Sequence, residues 1–270
     1  SIMNNLKKNV HDFWNNASCG EDLYLQNTDI SGYTKQAQER YRLEPYIIPF
    51  AGFKESKNKT VLEIGVGLGA DHQKFAETGA DLFGVDLTER AVAHTRRRLE
   101  LFGLSSALCV GDAENLKFDD SSFDHVYSCG ILHHSPKTPK AINEVYRVLK
   151  KGGTGSIMIY NKWSMVGIML WLRYALLIGR PFRSFLDVYA NHLESPGTKA
   201  YSYTQARELF CKFSHVSISS PLTHGDLLES DVGQKHRGGF LRIAKLFWPR
   251  WLIKRVLPNA GLFMMVKLRK

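Results

Sequence analysis

From residue 60 onward, short runs of apolar and β-branched residues alternate with longer stretches whose apolar positions recur at helical spacing. Residues 60–64, 81–86, 107–110, 125–128 and 156–160 read as strands. Residues 71–78, 89–102 and 139–149 read as the helices between them. The punctuation agrees: Gly79 and Gly103 follow two of the helices, and Thr88 stands where an N-cap belongs. Lys150-Lys151-Gly152-Gly153 reads as the cationic, glycine-rich stop of the third helix. Strand–helix alternation of this kind predicts βαβ units and a parallel sheet. A further helix at 203–213 and strands at 216–219 and 262–268 bring the expected sheet to seven strands, mainly parallel, with helices on both faces.

Three segments break this rhythm. Residues 1–55 look helical, with Leu6, Val10, Phe13 and Trp14 at helical spacing, and are expected to form an N-terminal cap on a domain at 56–270. Residues 161–200 and 220–260 are too long for simple connections and are expected to be helical lid insertions. The longest apolar stretch, 165–178, is interrupted by Arg173 and falls short of the roughly 20 residues needed to span a bilayer.

Charge sharpens the division. The chain carries 36 Lys plus Arg against 26 Asp plus Glu. Residues 1–160 hold 19 basic and 20 acidic side chains, whereas 231–270 hold 10 and 1. A basic character confined to the last forty residues argues against a nucleic-acid-binding protein, whose footprint would extend over a face of the domain. Four scattered cysteines without a CxxC pair, and no apolar leader, lead us to expect a reduced, cytoplasmic setting.

The richest chemical signal is VLEIGVGLGA at 61–70. Glycines at a strand-to-helix turn let the backbone bend tightly and approach a ligand. Asp86, at the end of the second strand, can take a ribose diol in hydrogen bonds. Alone, this also fits the looser dinucleotide pattern GxGxxA at Gly65, Gly67 and Ala70. Glu63 would repel a pyrophosphate and suits a cationic ligand. GDAE at 111–114 places a carboxylate after the third strand, and FDHVYSCGILHH at 123–134 ends the fourth in a glycine turn. In this order and spacing the set resembles the class I S-adenosylmethionine (SAM) methyltransferases, strongly over about 60–160. The resemblance implies a Rossmann-like α/β domain and SAM as cofactor, with S-adenosylhomocysteine as product. It implies Gly65, Gly67 and Gly69 around the methionine part, with Glu63 near its amino group. Asp86 would hold the ribose, Leu87 would pack on adenine, and Asp112 and Ala113 would read the adenine edge. Cys129 and Gly130 would meet the amino-acid end, and Tyr33 and Arg40, with Arg42 close behind, are candidates for the carboxylate.

For the acceptor, His133 and His134 follow the fourth strand, where ligands bind outside the carboxyl ends of a parallel sheet, and imidazole exchanges protons near neutral pH. Two adjacent residues point to different faces, so one of them is expected to serve as base. Tyr160, Asn161 and Trp163 sit at the same rim, while His192, Tyr201, Tyr203 and His224 lie in or beside the lids. No histidine spacing suggests a metal site. The position where base-methylating enzymes carry an Asn/Asp-Pro-Pro-aromatic element reads CGIL at 129–132, so the resemblance points to a small-molecule acceptor. Residues 238–256, GGFLRIAKLFWPRWLIKRV, admit two readings. The first is a lid whose apolar side closes the pocket and whose cations face solvent. The second is a peripheral enzyme that meets an anionic membrane and methylates a quinone, isoprenoid or lipid. A non-catalytic SAM-binding regulator or partner subunit is a third alternative. The sequence leaves the oligomeric state open.

Overall fold

The five runs between residues 60 and 160 all become strands in the computed structural model, which describes residues 2–19, 21–193, 195–229 and 239–270. They are β1 (Thr60–Ile64), β2 (Asp81–Asp86), β3 (Ala107–Val110), β4 (Phe123–Cys129) and β5 (Leu149–Tyr160), followed by β6 (His215–Ser219) and β7 (Phe263–Arg269). The described residues form a seven-stranded sheet in the order β3-β2-β1-β4-β5-β7-β6. Pairings among β1 to β5 are parallel, and β7 runs antiparallel to both β5 and β6. The seven-stranded, mainly parallel, Rossmann-like sheet is therefore as expected. β5, however, begins at Leu149 rather than at 156. The Lys150–Gly153 run is the kinked entry of that strand, with Gly152 at φ 78° and a register shift between Phe123 and His125 opposite. Glycine with a positive φ serves a helix stop and a strand irregularity equally well, which is why the sequence misassigns it.

Four short helices precede the sheet: α1 (Ile2–Asn16), α2 (Glu21–Tyr24), α3 (Ile30–Leu43) and α4 (Ile47–Ala51). Helices α5 (Ala70–Glu77), α6 (Glu89–Leu101) and α7 (Thr138–Val148) are the crossovers. The Thr88 hydroxyl caps α6 by accepting from Ala91 N–H. The first insertion holds α8 (Met165–Trp171), which runs into a π-helical turn at Leu172–Leu176, and α9 (Phe185–His192). α10 (Tyr203–Leu209) returns to the sheet, and the second insertion holds α11 (Gly239–Phe247) and α12 (Arg250–Val256), separated at Pro249.

Both sheet faces are covered. Val61, Tyr127 and Met158 pack with Phe50, Phe75 and helices α8 and α9, while Leu62, Val126 and Ile157 pack under α7 and α10. Strands buried on both faces need near-continuous apolar runs, the pattern that made them legible. No helix among the described residues is long and apolar enough to cross a membrane.

Candidate active site

β1 and β4 are neighbours whose chains continue to opposite sides of the sheet, and a crevice opens outside their carboxyl ends. It is a cavity of about 240 Å³ with mostly apolar walls. The turn after β1 supplies its floor. Gly65, Gly67 and Gly69 all adopt positive φ, at 84°, 54° and 81°. Two of them answer to the protein itself: a Cβ at Gly65 would stand 1.9 Å from Ile131 Cγ1, and one at Gly69 would stand 2.8 Å from Thr95 Oγ1. Gly67 is different. Its backbone lines the cavity and nothing lies within 4 Å of where its Cβ would be, so the missing side chain leaves room for a ligand. Gly65 also lines the cavity, whereas Gly69 faces α6.

Asp86 and Leu87 form the next wall. The Asp86 carboxylate is fixed by Thr88 N–H (3.0 Å), the Thr88 hydroxyl (3.1 Å) and Gly67 N–H (3.2 Å). Burial raises its pKa, with those donors opposing the rise. Asp112 and Ala113 follow β3, and Cys129 and Gly130 follow β4. Burial pushes the Cys129 thiol up to about 12, so it stays protonated. Arg40 reaches the cavity from α3 and donates to Asp71 through Nε (3.1 Å) and Nη2 (2.7 Å) and to Glu44 through Nη1 (3.1 Å). An open cradle at Gly67 beside an oriented carboxylate at a strand end fits the adenosyl and methionine parts of SAM.

The cavity continues into an aromatic chamber. Tyr160, at the end of β5, stacks on Phe263, and Phe13 and Trp14 descend from α1. His134 lines this part, edge-on to Trp14 at 5.4 Å between centroids. Its Nδ1 lies 2.7 Å from Ser195 Oγ and 3.0 Å from Thr198 Oγ1. The Thr198 hydroxyl donates its proton to the Ser195 carbonyl at 2.7 Å, so toward the imidazole it accepts. Nδ1 is thus anchored between two hydroxyls, and the nearer, Ser195 Oγ, can either donate to it or accept from it.

Several expected site residues lie elsewhere. His133 is fully buried behind Tyr160, ring centroids 3.9 Å apart, with both ring nitrogens lacking partners among the described residues. Burial and the neighbouring His134 hold it well below the usual imidazole range, and it does not line the cavity. Tyr33 is packed against α6, its hydroxyl 2.9 Å from His94 Nδ1 and its carbonyl held by Arg98. Arg42 is exposed and pairs with Glu39. Glu63 turns away from the cavity to His72 Nδ1 at 2.9 Å. Asn161 bonds the Gly261 carbonyl and Trp163 N–H, and Trp163 is exposed. His192 stacks on Tyr174 at 3.9 Å. Tyr201 and Tyr203 pack against the core under α7 and α10, outside the cavity wall.

Other residues at the site escaped the sequence reading. Lys7 of α1 reaches across the cavity mouth to Asp112 (2.6 Å) and Glu114 (2.7 Å). Asp71 gathers Arg40, Tyr41 and Tyr127, the two phenols each at 2.7 Å. Burial works against its ionised form, but Arg40 and those donors keep its pKa low. His224, by contrast, was among the expected pocket residues, and with Thr223 and Gly225 it lines the wall near Leu262. The helical spacing of Val10, Phe13 and Trp14 was visible; what that face would cover was not.

A glycine turn at the switch point, carboxylates closing β2 and β3, and this strand order give the Rossmann-like fold found in SAM-dependent methyltransferases. Residues 62–157 match the family described as Methyltransferase domain, and SAM is the cofactor that goes with it. Over 115 residues the chain is 36% identical to phosphoethanolamine N-methyltransferase 2 of Caenorhabditis elegans, covering 42% of this chain and 26% of that one. It is 35% identical over 115 residues to sterol 24-C-methyltransferase of Pneumocystis carinii, covering 42% and 30%. The chain thus matches under a third of the length of these relatives. In fold it is similar to a SAM-dependent methyltransferase from Thermotoga maritima, with a TM-score of 0.51 and 19% identity over 88% of this chain and 95% of that one.

Proposed function

We propose that the chain transfers a methyl group from SAM to a small-molecule acceptor with an apolar body. The observation that carries this reading is one continuous cavity: the Gly67 cradle and Asp86 form one end, and the aromatic chamber with His134 forms the other. Bound SAM supplies a methyl group on a sulfonium, transferred by in-line displacement. The protein's share is positioning, exclusion of water and removal of a proton. Asp86 would hold the ribose hydroxyls, Asp112 and Ala113 the adenine edge, and Arg40 the carboxylate end. Phe13, Trp14 and Tyr160 would hold the acceptor against the methyl group. His134, its Nδ1 anchored on Ser195 and Thr198, would take the acceptor's proton through Nε2.

The two relatives are named for an amine-bearing and a sterol acceptor, so they leave the attacked atom open. The alternative of a peripheral enzyme shares this chemistry and differs in where the acceptor is met. We read residues 1–55 as the cap over the cofactor, on the support of Lys7, Phe13 and Trp14 in the cavity wall.

Radiolabelled SAM incubated with the protein and cell extract, followed by mass analysis of the labelled product, tests the reading. A labelled small molecule is expected. His134→Ala should reduce its formation by at least tenfold, while His133→Phe, which keeps the stack on Tyr160, should leave it within about threefold, under ~1 kcal/mol. No labelled product, or the reverse ranking of the two variants, would contradict it.

A further inference from the structure

The second lid turns its apolar side outward. On α11, Ile243, Leu246 and Phe247 stand at i, i+3 and i+4, hence on one face, and they are 61%, 79% and 82% exposed. On α12, Trp251 is 70% exposed, Leu252 and Val256 are exposed with it, and Ile253 turns inward. Ile253 packs with Met165 and Leu227, which ties the second lid to the first. Trp248 anchors the bend between the two helices by donating to the Asp226 carbonyl at 2.8 Å. The face is thus held on a fixed base, with its aromatic and aliphatic side chains projecting from it.

None of the cavity wall comes from α11 or α12 among the described residues. Among the described residues, the exposed face of Ile243, Leu246 and Phe247 is thus not what closes the pocket, and it is open to another use. Charge indicates which. Between residues 239 and 257 the sequence holds Arg242, Lys245, Arg250, Lys254 and Arg255 and no carboxylate. Arg242, Lys254 and Arg255 are exposed, Lys254 beside Glu229 at 3.3 Å, and Arg255 lies over the Trp251 ring at 5.6 Å. The Arg250 guanidinium is directed inward, to the carbonyls of Leu227 and Leu228, and belongs to the base.

We propose that α11 and α12 dock on an anionic lipid surface. A bilayer interface accepts projecting Trp, Phe and Leu side chains without a complementary shape, and it presents one sign of charge to a segment that carries only the other. A protein interface core, in contrast, is closely packed and depleted in lysine. Docking stands on this face alone. Its consequence, that the apolar acceptor is taken from the membrane, rests on the methyltransferase reading above.

Co-sedimentation of the full chain with phosphatidylglycerol/phosphatidylcholine vesicles, and with phosphatidylcholine alone, tests the proposal at low and high salt. Binding at low salt is expected to favour the anionic vesicles by at least tenfold and to fall by at least tenfold at high salt. The pairs Phe247→Ala/Trp251→Ala and Lys254→Glu/Arg255→Glu should each abolish it while keeping the wild-type rise in Tm with SAM. The proposal is overturned if anionic vesicles are not bound at low salt, or if neither pair weakens binding. It is equally overturned if sedimentation equilibrium finds a dimer that both pairs dissociate and vesicles that neither form binds. Should vesicles bind while SAM leaves Tm unchanged, docking stands and the methyltransferase reading fails.

Discussion

The hydroxyl of Ser106 donates to the Leu82 carbonyl at 2.9 Å, and that direction sets the protons along a buried chain. Toward His72 Nε2, 2.7 Å away, Ser106 must then accept, so Nε2 carries the hydrogen and Nδ1 is a lone pair. Glu63, 2.9 Å from Nδ1, has to donate and is therefore a neutral acid. The direction of its pKa agrees: burial and the nearby Asp71 carboxylate raise it well above the usual range, while burial takes His72 down to about 3. The contact is a hydrogen bond between neutral groups rather than an ion pair. Glu63→Gln, whose amide can donate in the same place, is expected to change SAM affinity by less than about threefold and stability by under ~1 kcal/mol, read by calorimetry and thermal melting. A larger loss of affinity would put the Glu63 charge at the cofactor after all. The sequence held the clue to this orientation. Side chains alternate along a strand, so Glu63 shares a face with Val61, on the side that α5 covers, rather than with Leu62 and Ile64. Tyr33 could not be placed that way, because what withdraws it from the cavity is Arg98, distant in sequence, bonding its carbonyl and lying over its ring at 4.9 Å.

Between elements, one histidine joins three. His125 of β4 donates from Nε2 to the Ala51 carbonyl at the end of α4 (2.8 Å), and its Nδ1 accepts from Thr154 Oγ1 of β5 (2.8 Å). Burial takes its pKa down to about 4. The folded chain thus holds a neutral ring where the unfolded chain, below about 6.5, would bind a proton. Its contribution is present above 6.5 and is lost as pH falls through 4, on the order of 3 kcal/mol. His72 acts in the same direction, whereas Glu63, whose proton is retained on folding, opposes it as pH rises above the ordinary carboxyl range. The Tm of the wild type relative to His125→Gln is therefore expected to fall between pH 6.5 and pH 4; parallel profiles would contradict this. At this scale the sequence was most readable where the sheet is buried on both faces. It was least readable where one signal serves two geometries, as at Gly152 and Gly153, and in the lids, where an amphipathic pattern does not say which side meets the core.

Across the whole molecule, charge and chemistry divide along the chain. The near-neutral first 160 residues hold the end of the cavity built from Gly67 and Asp86, where carboxylates close β2 and β3. The strongly basic end of the chain contributes β7 to the sheet and, ahead of it, helices α11 and α12 with their exposed apolar face. The site lies between them because the strand order reverses at β1 and β4, and no local motif could reveal how α1, Leu193 and the loop at 223–225 converge on it. An acceptor in the aromatic chamber can be methylated only if SAM occupies the end built from Gly67 and Asp86. Isothermal titration of SAM into the wild type and Asp86→Ala measures that directly. Saturable one-to-one binding is expected, weakened at least tenfold by the substitution, which is about 1.4 kcal/mol or more. Absence of binding by the folded wild type, or equal affinity in the variant, would contradict it.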